Sequence, residues 1–184
     1  MSKKKISPSV VKYDHGKRIH LLSLSLFCTV GLLASFYGYY VERTRILDAY
    51  YVATCDISEV VSCTKLLTSE YSHLLHVFNV VEKDSPFNVP NTILSMLFYS
   101  LMTLIGSFVN KNLYIHLVAS IVATCGVLLS GYLSYIVVSK LNGVLCMICI
   151  TTYICNIGIF ITVVPPLYNA LSVSGNNRTT DKKD

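Results

Sequence analysis

The chain has 184 residues, 53% apolar and 14% charged, with a mean hydropathy of +0.55 and a formal net charge of +5. Soluble domains usually carry about 25% charged residues, so an ordinary water-soluble fold is excluded at the outset. The charges are also segregated: seven lie between Met1 and Arg18 and eleven between Glu42 and Asp84, while only Lys111 and Lys140 occur from Ser85 to Asn177.

A bilayer core of about 30 Å is crossed by roughly 20 apolar helical residues. After a basic tail at residues 1–18, uncharged runs of that order predict membrane spans at 19–41, 90–109, 113–138 and 144–167, followed by a polar tail at 168–184 that reads as disordered after Ser172. The first run is too long for a secretory signal peptide and ends in bulky Tyr37, Tyr39 and Tyr40, which suit an interfacial belt. Between the first two spans, residues 42–89 form one long loop in which Leu66-Leu67 and Leu74–Phe78 are apolar enough to pack down on the membrane end. Pro86 and Pro90 punctuate the entry to the second span, with Asn91 just inside it. The expected fold is all-α: a single-domain, integral four-transmembrane-helix bundle with a lumenal cap loop.

Ten Lys and Arg residues fall on the side of the two tails and Lys111, and five fall on the side of the 42–89 loop and Lys140. By the positive-inside rule both termini face the cytosol, which puts the loop and the start of the fourth span on the far side. In the endoplasmic reticulum that side is the oxidising lumen, where disulfides persist.

Seven cysteines must then be sorted. Cys28, Cys125 and Cys155 lie within spans, where the simplest expectation is a small buried apolar side chain. Cys55 and Cys63 lie in the loop as TCDISEVVSC, and Cys146-Met147-Ile148-Cys149 opens the fourth span. At 100° per residue, Cys149 and Tyr153 share a helical face with Cys146, and Cys155 points away. A thiol at a helix N-terminus is favoured as thiolate by unpaired N–H groups. Such a dithiol at the lip of a bilayer can exchange electrons with a lipid-soluble molecule, and a quinone is the natural candidate. A structural disulfide, or a four-cysteine zinc site shared with Cys55 and Cys63, remain open on spacing alone.

Cys55-Asp56, Ser62-Cys63, Asn91 with Leu94 and Phe98-Tyr99 after it, and above all Cys146-Met147-Ile148-Cys149-Ile150-Thr151-Thr152-Tyr153 resemble the vitamin K epoxide reductase family over about residues 20–165. The resemblance implies a vitamin K 2,3-epoxide reductase of the warfarin-sensitive type, reducing epoxide to quinone and quinone to hydroquinone by oxidising a dithiol. It further implies Cys149 as the attacking thiol and Cys146 as the resolving one, with Cys55 and Cys63 as a relay from a thioredoxin-like lumenal reductant supplied in trans. Asn91 and Tyr153 would hydrogen-bond the quinone oxygens, Phe98 would wall the pocket, and Asp56 would support the loop. Tyr71 departs from the pattern, standing where vertebrate members carry a cap tryptophan. The expected partners are the quinone and membrane lipid; no nucleic acid, bound cofactor or metal is called for.

Plainer readings exist for each of these residues. Asn91 could cap a helix, Tyr153 and Phe98 could be packing groups, and Asp56 could cap a turn. The same relay could run in reverse, with quinone as electron acceptor for making disulfides in other proteins. A non-catalytic four-span junction protein would leave the Cys-x-x-Cys unexplained. The C-terminal Asp-Lys-Lys-Asp is an imperfect retention signal, and the Asn177-Arg178-Thr179 sequon falls on the cytosolic side.

Overall fold

The computed structural model describes residues 8–82, 85, 87–109, 113–141 and 143–180, with side chains described from His20 to Pro165. Pro86, Lys83, the Lys111 turn and the last four residues therefore lie outside the described residues. In chain order the helices are α1 (Pro8–Leu47), α2 (Cys63–Leu67), a 3-10 turn at Glu70–Ser72, α3 (Leu74–Val77), α4 (Asn91–Val109), α5 (Leu113–Lys140) and α6 (Met147–Thr180). Among the described residues there is no strand, only an isolated parallel bridge between Val61 and Leu145.

Four helices contain segments long and apolar enough to cross a membrane: His20–Leu47, Asn91–Phe108, Leu113–Lys140 and Met147–Pro165. Their outward faces carry Leu22, Leu33, Phe36, Leu128 and Ile161, all strongly exposed. Such a surface suits hydrocarbon rather than water, and helices alone satisfy their backbone groups there. The expected all-α bundle of four membrane-spanning helices is what forms.

Helix α1 continues past the apolar run through Glu42, Arg43 and Arg45 to Leu47. Charge alone does not stop a helix, since Glu and Arg are good helix formers. At the other end α6 runs on through Pro165 and Pro166 to Thr180, where composition predicted irregular chain. Once a span is helical, further turns need no new nucleation, although Pro165 and Pro166 have no N–H to donate.

Helix α1 packs against α4 and α6, and α5 closes the bundle against α6 and α4. Small residues permit the close crossings: a β-carbon at Gly31 would run into the Tyr99 ring, so α1 and α4 meet there only because Gly has none. The central core gathers Leu24, Cys28, Tyr99, Met102, Ala123, Cys155 and Ile159. A second cluster at the loop end holds Val41, Ala53, Cys63, Leu66, Leu67, Cys146 and Ile148.

Part of the loop packs on the end of the bundle and forms a roof there. Leu66, Leu67 and Leu74 are buried, and Phe78 stacks on Tyr132 of α5 with ring centroids 5.1 Å apart. Ser62 caps α2 by accepting the Lys65 N–H at 3.2 Å. The turn into α6 needs Gly143, whose φ of +71° is costly for a residue with a β-carbon.

Candidate active site

Cys146 occupies the position just before the first helical residue, Met147, and the N–H groups of Ile148 and Cys149 point at its sulfur. Orphan donors of a helix start are thereby turned on a thiol. Both Cys146 and Cys149 are free thiols within hydrogen-bonding reach of each other. Their surroundings differ. Cys149 lines a cavity of about 170 Å³ bordered by α1, α4, α5, α6 and the roof, whereas Cys146 is not among its lining residues and is buried in the cluster that contains Cys63.

Cys55 and Cys63 form a disulfide, with Cα atoms 5.8 Å apart. Both pack into the cluster that contains Cys146 and Cys149, so the four motif cysteines come together at one end of the bundle. The Val61–Leu145 bridge fixes this meeting: Ser62 N–H donates to Leu145 O at 2.9 Å, and Leu145 N–H donates to Val60 O at 2.7 Å. Each bridged residue lies one or two positions before a motif cysteine. Asp56 accepts the Thr64 N–H at 3.0 Å and ties the first loop cysteine to α2. Burial opposes ionisation of Asp56, but hydrogen bonds from the Thr64 hydroxyl and N–H, the Ser62 hydroxyl and the Cys63 N–H outweigh it and hold the carboxyl below its ordinary value. The donor atoms of Cys55, Asp56 and Cys63 lie within 4.8 Å of one another, yet the two sulfurs are joined to each other rather than available as thiolates.

Asn91, Phe98, Tyr71 and Tyr153 all line the cavity with Cys149. The Asn91 side chain also has a structural task, accepting the Leu74 N–H at 2.7 Å and donating to Tyr71 O at 3.0 Å. It therefore anchors the roof while one of its two amide hydrogens remains for another acceptor. Phe98 stands edge-on to Tyr99 at 5.2 Å and closes on Gly126. Tyr153 has the Ser134 hydroxyl as its hydrogen-bonding neighbour.

Several cavity groups went unnoticed in the sequence. The Tyr99 hydroxyl lies 2.9 Å from Asn156 Oδ1 and 3.1 Å from Thr152 O, and Asn156 Nδ2 donates to Ser130 Oγ at 2.7 Å. Glu42 lines the cavity too, almost fully buried, and accepts a hydrogen bond from Thr92 Oγ1 at 3.2 Å. Helical spacing from Cys149 and Tyr153 could have flagged Asn156; nothing local marks Glu42. Cys28 and Cys155 are buried as expected, but Cys125 is exposed on the outward face of α5. Apolar residues occur on every side of its helix, and only small residues such as Ala119, Ala123 and Gly126 mark the side facing the core.

The family model described as "Vitamin K epoxide reductase family" matches residues 22–164. The chain belongs to this family. It is 35% identical over 146 residues to vitamin K epoxide reductase complex subunit 1 of Mus musculus, a match covering 77% of this chain and 86% of the mouse protein. To the Rattus norvegicus protein of the same name it is 32% identical over 136 residues, covering 73% of this chain and 82% of the rat protein. The matched region spans all four membrane segments and both cysteine pairs. As a member of this reductase family the chain is an oxidoreductase, with its dithiol beside a cavity between the membrane helices.

Proposed function

We propose that this protein reduces vitamin K 2,3-epoxide to the quinone, and the quinone to the hydroquinone, oxidising one dithiol in each round. The observation that carries this reading is the division of the Cys-x-x-Cys: Cys149 lines the cavity, whereas Cys146 does not and is buried in the cluster that holds the loop disulfide. Cys149 attacks the ring as thiolate, and the epoxide oxygen leaves the attacked carbon. Cys146 then attacks the Cys149 sulfur, so the carbon–sulfur bond breaks and the disulfide forms. Overall, epoxide and two thiols become quinone, one disulfide and water. In the second reaction, quinone and two thiols become hydroquinone and a disulfide.

The free N–H of Asn91 and the Tyr153 hydroxyl stabilise charge building on the ring oxygens, in a cavity where such dipoles count for more than in water. Phe98 packs on the ring. A thioredoxin-like reductant opens Cys55–Cys63, and the freed thiols reduce Cys146–Cys149 across their shared cluster. On the charge bias we assign this end of the bundle to the endoplasmic reticulum lumen and both termini to the cytosol. Turnover of vitamin K epoxide by the purified protein with dithiothreitol tests the reading: wild type is expected to be active and Cys149→Ala silent, and an active Cys149→Ala would overturn it.

A further inference from the structure

Resting on that reading, we propose that Glu42 is the acid that protonates the oxygen released when the epoxide ring opens. Glu42 is 2% exposed and is the only carboxyl among the described residues lining the cavity, which includes no Lys, Arg or His. Burying an ionisable group within a membrane segment is expensive, and such groups mark chemistry more often than architecture. The visible tie to Thr92, a single bond of 3.2 Å, is one that a neutral Gln or Ser could make. The other polar groups deeper in the cavity already serve one another or the backbone: Ser35 donates to Gly31 O at 2.8 Å, Ser130 to Gly126 O at 2.8 Å, and Asn156 to Ser130 Oγ at 2.7 Å. Among the described residues lining the cavity, Glu42 is the one carboxylic acid, a side chain that commonly serves as a general acid.

Its place in the fold suits that task. Thr92 directly follows Asn91 in the first turn of α4, so the Glu42 carboxyl and the Asn91 amide share one end of the cavity. An oxygen held by Asn91 is therefore at the end where the acid stands. When the Cys149 sulfur bonds to the ring and the carbon–oxygen bond breaks, the oxygen takes the Glu42 proton and the carboxylate remains. When Cys146 closes the disulfide, the electron pair of the broken carbon–sulfur bond expels that hydroxyl as water with a second proton. The two protons in the water equal the two that the thiols lost on ionising, so Glu42 is recharged from the thiol protons and ends the cycle as it began. The roof covers part of the cavity, and an acid held inside it delivers its proton at the reacting oxygen without waiting for one from solvent.

The test measures dithiothreitol-driven epoxide turnover for wild type, Glu42→Gln, Glu42→Asp and Thr92→Val, with Cys149→Ala as control. Glu42→Gln keeps size and the Thr92 bond but has no acidic proton, so kcat is expected to fall about 100-fold with KM and thermal stability unchanged. Glu42→Asp is expected to recover at least about tenfold over Glu42→Gln, and Thr92→Val, which deletes the tie but keeps the acid, to lose less than about tenfold. Glu42→Gln at the wild-type rate overturns the proposal. So does a Thr92→Val as slow as Glu42→Gln, or a Glu42→Gln whose stability falls in step with its rate, because the carboxyl is then a structural tie. A silent wild type sinks the reductase reading and this proposal together, whereas active wild type with equally active Glu42→Gln sinks the proposal alone.

Discussion

Cys28 and Cys155 share a buried cluster in the middle of the bundle, walled by Leu24, Met102 and Ile159, while Cys146 and Cys149 share a cluster where α6 begins. Both pairs are free thiols, and both have at least one member buried. What separates them is what lies beside the sulfur. The inner pair is packed among core side chains such as Leu24, Met102, Tyr99 and Ile159 at mid-helix, where the backbone N–H groups are spent within the helices. The outer pair has unpaired N–H groups aimed at Cys146, a cavity beside Cys149 and a disulfide packed alongside. Burial alone does not make a cysteine reactive or inert; the reactive one needs a stabilised thiolate and an oxidant within reach.

The strongest way to break this comparison is to delete the outer thiols. Cys149→Ala is expected to lower epoxide turnover by 10³-fold or more, on the order of the loss when a covalent nucleophile is removed. Cys146→Ala should stall after one addition, leaving a bond between Cys149 and the ring that intact-mass spectrometry detects. Cys55→Ser with Cys63→Ser sharpens the point: dithiothreitol should still drive turnover, while a thioredoxin-like protein reductant should not. If the loop variant loses both drives equally, the loop pair is a structural bridge rather than a relay.

Next in size are the polar groups at the cavity. Removing one donor to a developing oxyanion costs about 10²- to 10³-fold in kcat, and Tyr153→Phe is expected at the low end of that range because Asn91 remains. Asn91→Ala should do more than slow the chemistry, since the same amide holds Leu74 and Tyr71. It is expected to raise hydrogen exchange in residues 70–78 as well, a change that Tyr153→Phe does not cause. Full activity in both variants would mean that the assigned cavity is wrong.

The contrast also shows where sequence reasoning runs out. Four spans, two cysteine pairs and the α4 start at Asn91 were legible because each rests on a local pattern: an apolar run, a fixed spacing, a proline. Glu42 was not legible, because it heads a charged stretch with Arg43 and Arg45 that reads as solvated; its burial depends on α1 continuing to Leu47 and on Thr92, 50 residues away, meeting it. The double use of the Asn91 amide was hidden for the same reason, with partners 17 and 20 residues distant. Cys125 was misplaced because the packed face of α5 is marked only by its small residues Ala119, Ser120, Ala123, Gly126 and Ser130, a weaker signal than an apolar stripe.

A smaller effect concerns the loop that carries the disulfide. The Asp56 carboxyl is held below its ordinary value of 3.8, so its hydrogen bonds favour the folded loop at any pH above the unfolded value, and that contribution is lost as pH falls through the lower, folded one. Reduction of Cys55–Cys63 by a phosphine, which acts in acid, should therefore speed up only below about pH 4. Asp56→Asn should reduce faster at neutral pH and lose the acid dependence. An unchanged profile would show that Asp56 does not hold the loop closed.

The inner pair supplies the smallest expected effect and the cleanest control. Cys28→Ala or Cys155→Ala trims a buried side chain in a packed core, so each should cost about 1 kcal/mol of stability, read as a lower thermal midpoint in detergent. Neither touches the cavity, the N–H groups at the start of α6 or the loop disulfide, so turnover per folded molecule should stay at the wild-type level. Because Cys28 and Cys155 share one cluster, the double variant should differ from the sum of the singles. If instead either single variant slowed epoxide reduction without lowering stability, the inner thiols would belong to the electron path, and surroundings at the sulfur would no longer explain why one pair reacts and the other only packs.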